Sequence, residues 1–472
     1  MSWQRFRARG RAPGVRRSYP GRLLAAAGLA AGAAALPASA AHAATLSVPC
    51  SVPALVAAIN TANRSPGPDT LRLASGCTYR LGSAPADPAI VRRLPAITSD
   101  ITINGNGATI QRDESAPAFR ILFVSSTGKL TLNETTISGG EATDCPGAPT
   151  TPPFPPGGLV CGAGILNQGT LTVNDSRVVD NNAESDVAAR GAAGAGLASL
   201  GVATLNNTEV GGNTARYIGT GQGGVVSGGG IASAGVLTVN GSRVVDNSVT
   251  VAPGTSSLAE AAGISSFGVA TIDASFIEDN QATAPGGTAR GALVNPAGTM
   301  TVTDTTIINN TTNAPGGSVT GGGGSTNGTI SLTRTHISGN HATGGVVLGG
   351  GFNVGGRGMA TLTDSTVWGN TASGGIAGGG GLANALEPGG TLTTNQTDIS
   401  NNTVTGGTAL GGGLFNANGL TTLNGSAVTN NRAGDGGGIY EASGTVTLNG
   451  TVVQGNHPNN CAPPGSVPGC TG

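Results

Sequence analysis

Two carboxylates occupy the same position in consecutive copies of a repeated stretch and could take part in acid chemistry. Asp246 and Asp279 each stand directly before an Asn, and Asp180 has the same place two copies before Asp246. If the copies stack as neighbouring parallel strands, the first two carboxylates lie roughly 5 Å apart. Retaining glycosidases hold two carboxylates about 5–5.5 Å apart, and such a pair splits its pKa values so that one group stays protonated. Asp before Asn is also a turn sequence, and the turn is favoured because no aromatic platform or basic cluster accompanies the pair.

Aromatic side chains that could stack on a sugar ring are few, since only 3% of the residues are aromatic. Trp368 and Tyr217 are the candidates within the repeats. Phe154 lies in a Pro-rich segment between Cys145 and Cys161, which is either a binding finger or a tolerated insertion. We therefore keep Trp368, Tyr217 and Phe154 as candidate binding residues.

The elements that must position these side chains are copies of one repeat. Ten Asn residues each follow a Ser or Thr by five positions, at intervals of 25 to 34 residues. An aliphatic residue stands three positions before each Asn, whereas the residue before that aliphatic varies freely, which is typical of a strand with one buried face. The Asn residues are Asn181, Asn213, Asn247, Asn280, Asn310, Asn340, Asn370, Asn402, Asn431 and Asn456, and the aliphatics are Val178, Val210, Val244, Ile277, Ile307, Ile337, Val367, Ile399, Val428 and Val453.

Each copy contains three short strands separated by Gly and Asn turns, and one copy alone cannot enclose a core. Stacked copies pair each strand in parallel with its counterpart in the next coil, so that like residues form columns. The aliphatic column is then the core. The Asn column lies at a turn, where side-chain amides bond from coil to coil. The sequence predicts an all-β parallel solenoid.

The repeats resemble those of polymorphic outer membrane proteins. The likeness is carried by "GGGIASAGVLTVNGSRVVDNS" from Gly228 and "GGGLFNANGLTTLNGSAVTNN" from Gly411, and it covers residues 160 to 456. It implies a right-handed parallel β-helix of the pectate-lyase-like superfamily. The segment that begins with "CSVPALVAAINTANRSPGPDTLRL" at Cys50 is similar to the N-terminal segment of exported bacterial β-helix proteins. This chain has Val or Ile where the repeat family often has Phe.

Residues 1–43 are typical of an export signal. A basic stretch precedes an Ala-rich apolar run, and Ala41-His42-Ala43 has the small-x-small form that a signal peptidase accepts, which predicts cleavage after Ala43. The apolar run is shorter than the roughly 20 residues of a membrane span, so we expect no span after signal removal. Arg16-Arg17 leaves the twin-arginine and the general secretory routes both open. The resulting localisation is secreted.

The predicted domains follow the repeats. Residues 44–100 form an N-terminal cap and the first strands, residues 101–456 form the parallel β-helix with ten clear repeats from about 160, and residues 457–472 form a Cys/Pro-rich C-terminal cap. In the N-terminal cap, Ser51 caps a short helix whose Val52, Leu55, Val56 and Ile59 share one face and plug the first coil.

Six cysteines fit an oxidising compartment, where disulfides persist. Neighbour pairing is the simplest of 15 connectivities, and it joins Cys50 to Cys77, Cys145 to Cys161 and Cys461 to Cys470. His336, His341 and His457 lack metal-ligand spacing, so no metal site is predicted.

The composition argues against several classes of partner. The net charge is −1, 10% of the residues are charged and Lys129 is the only Lys, so nucleic acid is not an expected partner. No Gly run is followed by Gly-Lys-Ser/Thr, so no cofactor is predicted. Arg177, Glu209 and Arg243 share one outward column and are expected to form a surface ion ladder.

Two functional classes remain. The favoured one is a secreted, non-catalytic β-helix that acts as an adhesin-like or cell-envelope or polysaccharide-binding module. The alternative is a polysaccharide lyase or glycoside hydrolase of the pectate-lyase-like superfamily. The segments between each Asn and the next Gly cluster vary in length and are expected to emerge on one side and form the binding rim. The sequence does not indicate an oligomeric state.

Overall fold

The computed structural model describes residues 43–82, 94–147, 158–187, 190–220, 223–254 and 257–471. The predicted signal peptide, apart from Ala43, and Phe154 lie outside these residues. Of the described residues, 56% are in strands and 3% in a helix, so this part of the chain is all-β, and it winds into a parallel solenoid of about 11 turns. The predicted fold class is confirmed.

Three parallel sheets run along the solenoid, and most coils contribute two short strands to the largest of them, which we call sheet A. Alternate residues of these strands are buried, as in the Val236–Asn240 strand, because one face packs on the core and the other meets solvent. The 25 strands of sheet A are Thr45–Val48, Asp69–Leu73, Thr78–Leu81, Asp100–Arg112, Lys129–Ser138, Thr170–Asn174, Arg177–Val179, Val202–Asn206, Glu209–Gly211, Val236–Asn240, Arg243–Val245, Val269–Asp273, Phe276–Glu278, Thr299–Thr303, Thr306–Ile308, Thr329–Thr333, His336–Ser338, Met359–Thr363, Thr366–Trp368, Thr391–Asn395, Asp398–Ser400, Gly419–Asn424, Ala427–Thr429, Gly444–Asn449 and Val452–Gln454.

Sheet B contains the short strand that follows the Gly cluster of each coil. Its inward residues, such as Ile231 and Ile264, pack on the same core as sheet A. The 12 strands of sheet B are Leu122–Val124, Ile165–Asn167, Leu197–Ser199, Ile231–Ser233, Ile264–Ser266, Leu293–Asn295, Gly324–Thr326, Phe352–Val354, Leu382–Asn384, Leu414–Asn416, Ile439–Glu441 and Cys461–Ala462.

Sheet C is built from the segments of variable length that were expected to form a rim of loops. In the described part of the chain these segments are instead paired strands with a core of their own. Small residues make this second core possible; Val249 and Ala259, on the outgoing and returning strands of one coil, are both fully buried in it. The 14 strands of sheet C are Glu141–Ala142, Leu159–Cys161, Asn182–Ser185, Gly191–Ala193, Thr214–Tyr217, Val225–Ser227, Ser248–Val251, Leu258–Glu260, Gln281–Thr283, Thr288–Arg290, Thr311–Thr320, His341–Leu348, Thr371–Gly378 and Thr403–Leu410.

One helix, Val52–Ala62, packs against the first coils. Leu55 and Ile59 are fully buried, whereas Val52 and Val56 are half-buried against the same core, so the predicted apolar face is correct. Ser51 holds the N-cap position with an extended backbone, but its side chain makes no capping hydrogen bond. The predicted side-chain cap is therefore wrong, because no first-turn N–H donates a hydrogen bond to the Ser51 hydroxyl.

Three disulfides link neighbouring cysteines, and the predicted pairing is confirmed. Cys50 bonds to Cys77, Cys145 to Cys161, and Cys461 to Cys470. The first joins the entry to the helix to the first coils, and the last closes the segment whose Val467 is buried in the main core.

The Asn column forms a hydrogen-bonded ladder inside the solenoid, which we call the inner Asn ladder. Its members are 0–6% exposed. Asn247 is representative: its Nδ2 donates to Val210 O at 2.9 Å and to Asn280 Oδ1 at 3.0 Å. Its Oδ1 accepts from the backbone N–H of Asn213 at 3.1 Å. Each amide thus binds the coil on either side of its own.

The Gly clusters follow from this ladder. A Cβ on Gly230 would lie 3.0 Å from Asn247 Nδ2 and 2.8 Å from Gly263 O. A Cβ on Gly413 would likewise lie 2.9 Å from Asn431 Nδ2. The chain crosses directly over the Asn amides at these points, and only a residue without a side chain fits there.

We predict that Asn280→Ala lowers the free energy of unfolding by about 3 kcal/mol or more. The substitution removes the hydrogen bonds that the Asn280 side chain makes with Val244 O, the Asn247 N–H and Asn247 Nδ2, and each buried group left unsatisfied costs about 1–3 kcal/mol. Asn206→Ala is the control, because Asn206 also bonds to Asn neighbours but is half-buried, so water replaces the lost bonds. Denaturant unfolding measures the free energy of unfolding of both variants. Equal losses would contradict the prediction that burial makes the inner Asn ladder the more stabilising of the two.

Two adjacent residues of one strand test the strand phase, that is, which of its side chains point into the core. Val244 is fully buried, and we predict that Val244→Asp costs several kcal/mol because it leaves an unpaired charge in the core. Arg243→Asp, one residue away on the outward side, is predicted to cost at most about 1 kcal/mol. Thermal melts compare the two variants, and similar melting temperatures would mean that the phase is wrong.

Candidate binding face

An outward rank of Thr residues runs along sheet A, at the centre of the first strand of each coil. Successive members are paired in register, so a hydroxyl recurs at each coil, about 4.8 Å from the next, and every member except Ser331 also carries a methyl group. Every member is half-buried or exposed. The rank contains Thr45, Thr70, Thr102, Thr131, Thr172, Thr204, Thr238, Thr271, Thr301, Ser331, Thr361, Thr393, Thr422 and Thr447.

Two further outward ranks flank the Thr rank. On one side lie Thr or apolar residues; Val202, Val236 and Val269 follow one another there and are 42%, 44% and 53% exposed. On the other side, in the ten coils from Thr170, lie Asn174, Asn206, Asn240, Asp273, Thr303, Thr333, Thr363, Asn395, Asn424 and Asn449. We call the three ranks over these ten coils the neutral strip, since Asp273 is the only charged member.

The Asn residues of the neutral strip form an outer ladder that the sequence analysis did not identify. Asn206 Nδ2 donates to Asn174 Oδ1 at 2.8 Å, and Asn240 Nδ2 donates to Asn206 Oδ1 at 2.9 Å. The bonds orient the amides along the solenoid axis. The recurrence of Asn two residues before the Ser or Thr column is the signal that could have indicated this ladder.

Charged residues lie instead on the second strands of several coils. Arg177 Nη2 lies 2.7 Å from Glu209 Oε1 in the next coil, as the shared column predicted. Arg243 does not continue that ladder, because its Nε donates to Glu278 Oε1 at 2.8 Å one coil further on. All four side chains are partly exposed, so the pairs contribute little to stability.

The three candidate catalytic carboxylates belong to a turn that requires a left-handed backbone. Asp180, Asp246 and Asp279 have φ of 56°, 55° and 55°. The other seven of the ten repeats place Gly or Asn at this point, for example Gly212 at 63° and Asn309 at 55°. Gly, Asn and Asp are the residues that adopt this conformation most readily. Backbone conformation therefore accounts for Asp at these positions.

Asp246 and Asp279 nevertheless lie on consecutive coils, as the stacking predicted. The Asp246 N–H donates to Glu278 O, directly before Asp279. The pKa of Asp279 is raised from its ordinary value, first by burial and then by the nearby carboxylates of Asp246 and Glu278. A hydrogen bond with Asn309 acts in the opposite direction. Asp180 lies apart from this pair, in a recess of about 370 Å³ that Arg112 and Glu141 also line.

The aromatic candidates have different outcomes. Trp368 is 49% exposed on the second strand of its coil, between Ser338 and Ser400 of the adjacent coils. Tyr217 is fully buried in the second core, so its proposed role as a binding residue is wrong. Tyr217 and Ala215 lie two residues apart on one strand and are both buried. That period of two is the signal that could have predicted that Tyr217 points into the core.

A buried carboxylate in sheet C was not found by sequence reasoning, because it lies in a variable segment. Glu260 is 2% exposed, and burial raises its pKa above the ordinary value. The Ser227 hydroxyl lies 3.1 Å from Glu260 Oε1, and Arg290 Nη1 lies 3.2 Å from Glu260 Oε2. The cluster is internally paired across three coils.

Within the part of the chain that the structure describes, no three His, Cys, Asp or Glu side chains are grouped so as to hold a metal ion. The helix found there is too short to cross a membrane.

Comparison of the chain with protein-family models, with curated proteins and with solved structures found no match.

Proposed function

We propose that this chain is an exported, non-catalytic β-solenoid that binds neutral polysaccharide of a cell envelope or surface through the neutral strip. The observation that carries the proposal is the uniformity of the Thr rank. The outward column on the second strands, whose members are also half-buried or exposed, holds Arg, Glu, Phe, Thr, His, Asp, Ala and Val. Solvent exposure alone therefore does not impose Thr.

Strand propensity does not account for the Thr rank either. Val is as favourable as Thr on an outward strand position, and the adjacent rank uses Val202, Val236 and Val269. A surface of hydroxyls, amides and short apolar side chains matches a neutral sugar polymer, whose hydroxyls form hydrogen bonds and whose ring C–H groups pack on apolar atoms. An anionic polymer would gain nothing from it, because the strip carries no cation.

The proposed exported state agrees with the three disulfides, which persist in oxidising compartments. The likeness of the repeats to polymorphic outer membrane proteins, and with it membership of the pectate-lyase-like superfamily, belongs to the same proposal. So does the adhesin-like role at a bacterial cell surface.

We predict that Thr172→Lys, Thr238→Lys and Thr301→Lys together weaken binding to neutral glucans or mannans by about tenfold or more, or about 1.4 kcal/mol. The Lys side chains cover the neighbouring hydroxyls and must lose hydration when the polymer docks. Affinity electrophoresis of the oxidised chain in gels with and without each polysaccharide measures the effect.

The matched control replaces three outward Thr residues of the second strands, Thr136, Thr306 and Thr366, with Lys. These side chains are half-buried, as are Thr172 and Thr238, whereas Thr301 is exposed; the added charge is the same. Equal losses in the two triple variants would place the ligand elsewhere, and retention of the parent by pectate or alginate alone would contradict a neutral ligand.

A second candidate function, cleavage of a polysaccharide, rests on the raised pKa of Asp279 beside Asp246. If the pair is catalytic, Asp246→Asn with Asp279→Asn abolishes turnover while the melting temperature stays unchanged, because Asn takes the same backbone conformation at Asn309. We expect neither the parent nor the double variant to release reducing ends or unsaturated products from pectic, uronate or neutral polysaccharides. Activity that the double variant lacks would establish the enzyme instead.

A further inference from the structure

A carboxylate occupies a core position in the first coils. Asp69 begins a strand of sheet A and pairs in register with Ile101, which is followed in the same column by Leu130 and Leu171. All of these aliphatic side chains are fully buried, and Asp69 is 1% exposed. An acid thus stands where the other coils place apolar or small neutral residues.

The Asp69 carboxylate is only half satisfied. Its Oδ1 accepts a hydrogen bond from the backbone N–H of Ala44 at 2.8 Å. Its Oδ2 is buried and has no hydrogen-bond partner, and no Lys or Arg of the described residues forms an ion pair with it. Burying a carboxylate without a cation is strongly unfavourable. The site therefore lacks a positive charge.

The nitrogen of Ala44 is held in place at this carboxylate. The Thr70 N–H donates to Ala44 O at 2.8 Å, and Thr45 pairs in register with Thr70. Ala43, the preceding residue, is exposed, so the bond that joins it to Ala44 is open to a peptidase. The peptide Ala41-His42-Ala43 before this bond has the small-x-small form of a cleavage site.

We propose that Asp69 is the receptor for a new amino terminus, formed when a signal peptidase hydrolyses the bond between Ala43 and Ala44. Water supplies the hydroxyl that completes the Ala43 carboxylate and the hydrogen that converts the Ala44 amide into an amine, which takes a further proton from solvent. The resulting ammonium has three N–H groups in place of one. It supplies both the missing charge and a donor for the second carboxylate oxygen.

Processing is therefore coupled to folding of the first coils. The precursor holds an uncompensated charge in the core of the first coils, and the processed chain holds a buried ion pair. The inference does not depend on which ligand the neutral strip binds.

The first measurement is N-terminal sequencing of the exported protein, with Ala44 as the expected first residue. The second uses an oxidised precursor in which residues 38–43 are replaced by the recognition sequence of a protease that leaves no residue on its product. We expect cleavage to raise the melting temperature by several degrees in the parent and not in Asp69→Asn, because the neutral amide has no charge for the ammonium to compensate. Asp100→Asn is the control, since Asp100 pairs with Lys129 at the surface and should leave the gain intact.

A third arm covers the case in which Asp69→Asn does not fold. Acetylation of the cleaved chain removes the ammonium, and Lys129→Arg leaves the new terminus as the only amine to react. Acetylation is expected to reverse the gain in melting temperature. The proposal is overturned if the exported chain begins at another residue, if cleavage stabilises the parent and Asp69→Asn equally, or if acetylation has no effect.

Discussion

The inner Asn ladder is the interaction on which the rest of this solenoid depends. Each of the ten repeats leaves sheet A through a left-handed residue, and the N–H of the Asn that follows, as in Asn213 and Asn247, donates to the Asn side chain of the next coil. An amide carries its donor and its acceptor on separate atoms, so it donates to a carbonyl of the preceding coil and accepts that coil's N–H. Because the donor and the acceptor belong to one group, a column of amides satisfies itself at any length. The Asn side chains of this column need space above them and a common direction. The Gly clusters, the left-handed turns and the spacing of the repeats provide both.

Much of this architecture could be predicted from the sequence, because residues that form one column in the solenoid recur at intervals along the chain. The alternation around Val244 identified a buried face, and the intervals between Asn residues identified the coils. What escaped prediction lies where the period fails. The variable segments gave no common spacing, so their second core was invisible and Tyr217 was placed on the surface. Asp69 escaped because its burial and its bond from the Ala44 N–H depend on the register of the first strands, which lie outside the ten repeats.

The candidate site was predicted only in part for a related reason. The sequence showed that Asp246 and Asp279 recur at one position, and the structure places them on consecutive coils. Recurrence is also what a backbone constraint produces, and the φ values of the whole column show that constraint acting on Gly and Asn as well. At the turns of a solenoid, a recurring residue is therefore weak evidence of function, because the backbone conformation alone can require it. On outward strand positions it is stronger evidence, because the backbone there accepts almost any residue and a uniform residue type needs another cause.

The in-register pairing of equivalent residues also determines how the molecule bears load. A force along the solenoid axis acts on the coils in series, so every coil carries the full tension and the weakest one opens first. Each opened coil releases one repeat of 25 to 34 residues, or roughly 100 Å of extended chain. Under such a force, a protein of this construction lengthens in discrete steps while its remaining coils stay intact.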